Sequence, residues 1–265
     1  MNATPLPLSN AQVAPNQWRA LGGIWRLTFR RFLAPGQLLS TAGMLVVLAV
    51  LSYATTKPGN IRDYLGWTAG FYLVFLVPVM AFLSGAGAIR DEMKSDSVDY
   101  VLTRPVRKPA FIVFKYLAHM ACLQIVYLFP LALLLALGVY REIPDVIGAL
   151  PILLTGQLLA VAAFVAFGFL CGVLTSRYIV LGLLYGVIVE IGLGQIPTQL
   201  NRLSMARHLR NLLEPLWAAR GEMPAITTGV FSTAGILLAS SAAMIALTAL
   251  SFSTQELAGA RSKEA

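Results

Sequence analysis

The chain has 265 residues, is 57% hydrophobic with a mean hydropathy of +0.73, and carries a formal net charge of +8. That composition excludes a soluble globular enzyme and a disordered chain; it is that of an integral membrane protein. The excess Lys and Arg lie at the ends of apolar runs, not in a patch interleaved with aromatics, so their counter-charge is lipid headgroups and not nucleic acid. Cys122 and Cys171 fall inside apolar runs and read as small buried hydrophobes, without disulfide or metal-ligand spacing.

Residues 1–15 carry no cation and no apolar run, and prolines interrupt them; a disordered tail is expected. Asn16–Leu33 follows. At helical spacing Trp18, Leu21, Trp25, Phe29 and Phe32 share one face, and Arg19, Arg26 and Arg30 form a stripe about a quarter-turn away. This predicts an interfacial amphipathic helix, aromatics in the acyl boundary and arginines among headgroups. Pro35-Gly36 ends it. Six apolar spans are predicted next, at about 37–56, 65–89, 111–139, 146–174, 179–196 and 226–252. Lys57–Asn60 reads as a turn, Pro78 as a kink in the second span, and Pro151 as a tilt or break near the start of the fourth. The fold class is therefore all-α, with residues 16–254 as one transmembrane domain and 255–265 as a polar tail.

Ile89–Lys115 is the only long charged run between apolar segments. Asp96 can cap a short helix, with Asp99 in its first turn. Val98, Val101 and Leu102 then form an apolar stripe, and Arg104 before Pro105 stops the helix. Lys115 is expected to snorkel to the interface. With six spans, thirteen of the twenty Lys and Arg fall on the side of this loop and of both termini, which makes that side cytoplasmic.

Few residues look chemical. Glu190, in LLYGVIVEIGLGQIP, is a carboxylate inside a span and so a functional candidate. The plainer reading pairs it with an external arginine, or with a backbone donor freed by Gly192 and Gly194. His119 reads as an interfacial or buried hydrogen-bonding residue. Between spans five and six, Leu200, Leu203, His208, Leu209, Leu212, Leu213, Leu216 and Trp217 give an apolar face, and Arg202, Arg207 and Arg210 a basic one. Two short amphipathic helices at the outer interface are expected. Gly66/Gly70, Gly168/Gly172 and Gly182/Gly186 have close-packing spacing. No glycine is followed by lysine, so there is no nucleotide-binding P-loop; neither G-x-S-x-G nor H-E-x-x-H occurs.

Glu92, Ser97, Tyr100-Val101-Leu102, Pro105-Val106-Arg107 and Lys115, in that order, resemble the loop between spans two and three of ABC-2-type permeases. The sequence departs from that pattern at Asp96, where the family has Gly, and at Ser97, where it has Thr. The resemblance extends to the span layout over nearly the whole chain. It implies a type V-like exporter subunit in which Glu92, Asp96, Val98, Val101, Leu102 and Pro105 form a coupling helix docking on a separate ATPase. The Trp18–Arg30 segment would then be the connector helix, and the helices after span five would cap the route from outside. The resemblance further implies two ATPase copies and a second permease copy, with a seam along spans one and five near Gly182 and Gly186. ATP and Mg would be bound on the partner alone, with no cofactor on this chain, in a bacterial-type inner membrane. The implied activity is export of a lipid-like, drug-like or glycoconjugate substrate. Two alternatives stay open: an ATPase-linked module that drives an accessory protein or cofactor maturation without classical transport, and a membrane-embedded enzyme. For the enzyme only Glu190 is well placed.

Overall fold

The computed structural model describes residues 17–93, 108–192, 202–214, 216 and 230–261, and among these it is helical with no strand. α1 (Gln17–Phe32) ends three residues before Pro35, which opens α2 (Pro35–Thr55). A proline suits a first helical turn, where its missing N–H has no partner to lose. The expected turn follows. Gly59 takes a φ of 69°, the left-handed region that glycine enters without strain, and the Asn60 side chain accepts the Arg62 and Asp63 N–H groups. This cap starts α3 (Ile61–Glu92) earlier than the hydropathy suggests.

α3 changes its winding along its length. Gly66–Leu76 is π-helical and Val77–Glu92 is α-helical, with Pro78 in the first turn of the α stretch. The disturbance expected at Pro78 is thus a change of winding: the wider π turns precede the ring that an α-helix would crowd. α4 (Lys108–Tyr140) runs through a buried Pro130. α5 (Leu150–Leu174) begins one residue before Pro151, so that proline opens the helix and does not break it. The residues between α4 and α5, expected to be partly helical from Val146, instead make a turn in which Glu142 and Asp145 have positive φ. α6 (Tyr178–Tyr185) runs into a second π-helical stretch, Gly186–Gly192. α7 (Met205–Leu212) and α8 (Val230–Arg261) complete the described chain. α8 runs on past residue 254 into the expected tail.

Among the described residues five helices, Pro35–Thr55, Ile61–Glu92, Lys108–Tyr140, Leu150–Leu174 and Phe231–Thr254, are long and apolar enough to cross a membrane. The apolar helix at the predicted fifth span, Tyr178–Glu190, is shorter.

α5 is the central helix. Of its most apolar stretch 83% is buried, against 11% for α2. It packs on α3, α8, α4, α6 and α7, while α1 and α2 pack on α4 from outside. The α3–α5 crossing is tight because it is made of small residues. A Cβ at Gly168 would lie 2.4 Å from the Phe82 carbonyl oxygen, and one at Gly85 would lie 2.8 Å from that of Val165. Gly172 meets Ala86 and Ile89 in the same way. Lipid gives helices no hydrophobic reason to associate, so close backbone contact must supply the attraction. Polar ties add to it. The Tyr72 hydroxyl lies 2.8 Å from Gln157 Oε1 and 3.0 Å from the Tyr127 carbonyl oxygen, and the Tyr116 hydroxyl donates to the Ala162 carbonyl at 2.9 Å. These join α3, α4 and α5.

Candidate functional site

Two ion pairs lie where α3 ends and near the start of α4, on either side of residues 94–107. Glu92 is the last residue of α3, and Lys115 lies two turns into α4. Lys115 Nζ donates to Glu92 Oε1 at 2.7 Å, with the lysine side chain 8% exposed and the carboxylate 24%. Lys115 thus reaches a carboxylate at the last residue of α3. Its stem is buried, and the carboxylate at the end of α3 supplies the counter-charge that water would otherwise supply. A partly buried pair holds only if both partners are present.

One residue earlier, Asp91 pairs with Arg31 from the last turn of α1. Two consecutive carboxylates of α3 thus reach two different neighbours, α4 and α1. One turn deeper along α4, His119 is buried, with Nε2 3.0 Å from Ser84 Oγ of α3. Its ring sits 5.1 Å from that of Phe32 and 6.0 Å from that of Phe169. Phe111 at the start of α4 stacks on Phe252 of α8 at 6.3 Å. The result is a clasp: the helices on either side of residues 94–107 are tied to each other, and α1 is tied to the end of α3.

The expected coupling residues Asp96, Val98, Val101, Leu102 and Pro105 lie outside the described residues, as do the side chains of Trp18, Arg19 and Leu21. The rest of the amphipathic helix is placed. Trp25, Phe29, Arg26 and Arg30 are exposed, and Ile24, Thr28 and Phe32 face inward. That inward Ile24–Thr28–Phe32 line was not singled out from the sequence; its spacing of four residues is the signal that carries it.

Glu190 sits at the opposite end, and its partners are of another kind. The Ser204 hydroxyl donates to Oε2 at 2.5 Å. The Met205 N–H donates to Oε1 at 3.1 Å, and the Ala206 N–H reaches both oxygens at 3.2 and 3.3 Å. Ser204 Oγ in turn accepts the Arg207 N–H at 3.0 Å. The carboxylate therefore caps the N-terminus of α7, where free N–H groups and the helix dipole both favour an anion. Neither expected partner is the one found: the described partners belong to α7, not to an arginine side chain or to donors beside Gly192. Tyr185, five residues before Glu190, helps from the same helix. Its hydroxyl accepts the Met205 N–H and donates to the Leu203 carbonyl, each at 3.3 Å.

The apolar face expected after span five is present in part. Met205, His208, Leu209, Leu212, Leu213 and Leu216 are buried and seat α7 on α5, α8 and the π stretch of α3. Leu203, expected on that face, is 60% exposed. Arg202 and Arg210 are exposed, as a basic face requires. The two glycines proposed for a seam differ. A Cβ at Gly182 would lie 2.2 Å from the Phe82 ring, so Gly182 serves packing within the chain. A Cβ at Gly186 would meet nothing within 4 Å.

Long apolar helices, glycine-lined crossings and charges satisfied at the helix ends define a multi-pass helical membrane protein. Residues 32–257 match the family model described as ABC-2 family transporter protein. The chain belongs to that family, and is the membrane permease component of an ABC transporter, not itself an enzyme. No curated protein matches it.

Proposed function

We propose that this chain is the permease subunit of an ATP-driven exporter whose ATPase is a separate chain docked on residues 94–107. The observation that carries this reading is the Glu92–Lys115 pair across the base of that segment. A segment pushed by a partner transmits force only if its two ends move as one. Glu92–Lys115 provides that, and Arg31–Asp91 recruits α1. From there the close α3–α5 crossing carries the displacement into the middle of the bundle. The 94–107 end is then cytoplasmic, in a bacterial-type inner membrane, with both termini on that side. ATP and Mg are bound on two partner ATPase copies, and a second permease copy completes the machine. At the far end α7, held by Glu190, covers the bundle from outside. The apolar helix faces suit a lipid-like, drug-like or glycoconjugate substrate.

The test is the double variant Val101→Asp, Leu102→Asp, which places charge on the apolar stripe expected to enter the ATPase. The permease is expected to insert normally, while the ATPase no longer co-purifies with it and is no longer stimulated. Normal assembly of that variant would sink the proposal.

A further inference from the structure

The π-helical stretch of α3, Gly66–Leu76, is packed on by α5 and α7. α7 also rests on the second π stretch, Gly186–Gly192, which carries Glu190. A π turn closes from residue i to i+5 where an α turn closes to i+4, so it holds about one more residue. The 11 residues of Gly66–Leu76 therefore hold about two more than the α turns that would replace them.

Two side chains of the stretch pull in opposite directions. In α-helical segments Thr41, Thr55, Thr155 and Thr248 each donate to the carbonyl four residues back, at 2.7 to 2.9 Å. Thr68 is wholly buried and its hydroxyl lacks that bond. The Tyr64 hydroxyl comes near it, but neither has a hydrogen-bond partner of normal geometry among the described residues. A buried hydroxyl left unpaired is costly, and rewinding to α would bring Thr68 onto the Tyr64 carbonyl. Tyr72 opposes this. In the present winding its hydroxyl lies 2.8 Å from Gln157 Oε1 of α5 and 3.0 Å from the Tyr127 carbonyl oxygen of α4. Rotation of the stretch takes it off both.

We infer that Gly66–Leu76 is a winding hinge. Tyr72 latches it in the π form, rewinding towards α releases the latch, and the seat of α7 moves with it. The α stretch that follows is not the part that yields. Gly85 lies against the Val165 backbone and Gly168 against that of Phe82, which leaves no room to rotate. The rings of Trp67, Phe71 and Phe75 follow one another at 4.6 and 5.7 Å and are spaced four residues apart, so they stay neighbours once rewound. The displacement proposed for the loop end would drive the change, but the winding and its latch do not depend on that reading, and the test needs the permease alone.

The experiment is hydrogen–deuterium exchange on the full chain purified in mild detergent, followed over residues 66–76 and over α7. Tyr72→Phe is expected to speed exchange about tenfold in both. Tyr116→Phe removes a hydroxyl bond of the same kind, to the Ala162 carbonyl, and should leave both segments unchanged. Adding Gln157→Leu to Tyr72→Phe removes the acceptor left unpaired, so chain stability should recover while α7 still exchanges fast. Thr68→Val should slow exchange in 66–76 and raise the unfolding temperature by about 2–4 °C. The hinge is overturned if Tyr72→Phe leaves α7 unchanged, or if Tyr116→Phe accelerates it equally. It is overturned too if the exchange of α7 recovers together with stability in the double variant, which would make Tyr72 a packing tie. A lowered unfolding temperature in Thr68→Val would mean that its hydroxyl is satisfied in the present winding, and would overturn the opposition on which the hinge rests.

Discussion

The two ends of the molecule solve the same electrostatic problem differently. At the loop end, Glu92 and Asp91 are met by side chains of other helices, Lys115 and Arg31. At the far end, Glu190 is met by Ser204 and by the backbone of one short helix. A side-chain pair between helices fixes their relative position while leaving each helix intact. A carboxylate on a helix N-terminus does something narrower: it holds one small element in place and orients it. The loop end is thus built to make α1, α3 and α4 act together. The far end holds α7 by its N-terminus.

The contrast is broken most severely at Lys115. Lys115→Ala leaves Glu92 without its counter-charge at a partly buried position, and the cost is about 3 kcal/mol, the low end of the range for such a loss. Thermal unfolding in detergent should show it, and Glu92→Gln combined with Lys115→Met should recover most of it. If the double variant is no more stable than Lys115→Ala, the pair is not the unit described here.

Glu190→Ala should act on α7 alone. Loss of the cap is expected to cost about 2 kcal/mol, which speeds amide exchange at Met205 and Ala206 about thirtyfold if they open locally. Exchange in α3 and α4 should not change. Acceleration spread across the bundle would mean that Glu190 supports the whole fold and not one helix.

The smallest effect separates two glycines of the same helix. Gly182→Leu must displace the Phe82 ring and should destabilise the single chain by about 1–3 kcal/mol. Gly186→Leu meets no neighbour and should leave its stability within about 0.5 kcal/mol. Any weakening of a homodimer by Gly186→Leu then reports on the seam and not on folding. Loss of chain stability with Gly186→Leu would contradict the packing described for α6.

Five of the six spans, the Lys57–Asn60 turn and the buried face of α7 were legible because each rests on local chemistry: hydropathy, a positive-φ glycine, apolar residues at helical spacing. Pro35 could be read because a proline acts on its own helix, but Pro151 could also be read as a break, since hydropathy did not say where α5 begins. The partners of the charged groups were not legible. Nothing near Lys115 in the sequence says that α3 ends beside it, so the interface was expected to receive its charge. Glu190 finds its partners 14 to 16 residues on, in backbone groups that every sequence has. Gly182 was read from a spacing that fits an interface, and the spacing did not say that Phe82 of the same chain packs on it.

The central claim is that a partner ATPase seats on the segment clasped by Glu92 and Lys115. Its most direct test is cysteine crosslinking in native membranes, with Cys122 and Cys171 replaced by alanine and a single cysteine at Leu102. The account predicts a crosslinked species containing one permease and one ATPase, strongly reduced when Lys115→Ala is added. No ATPase adduct at Leu102, or labelling of that cysteine by an impermeant reagent from outside the cell, would contradict it.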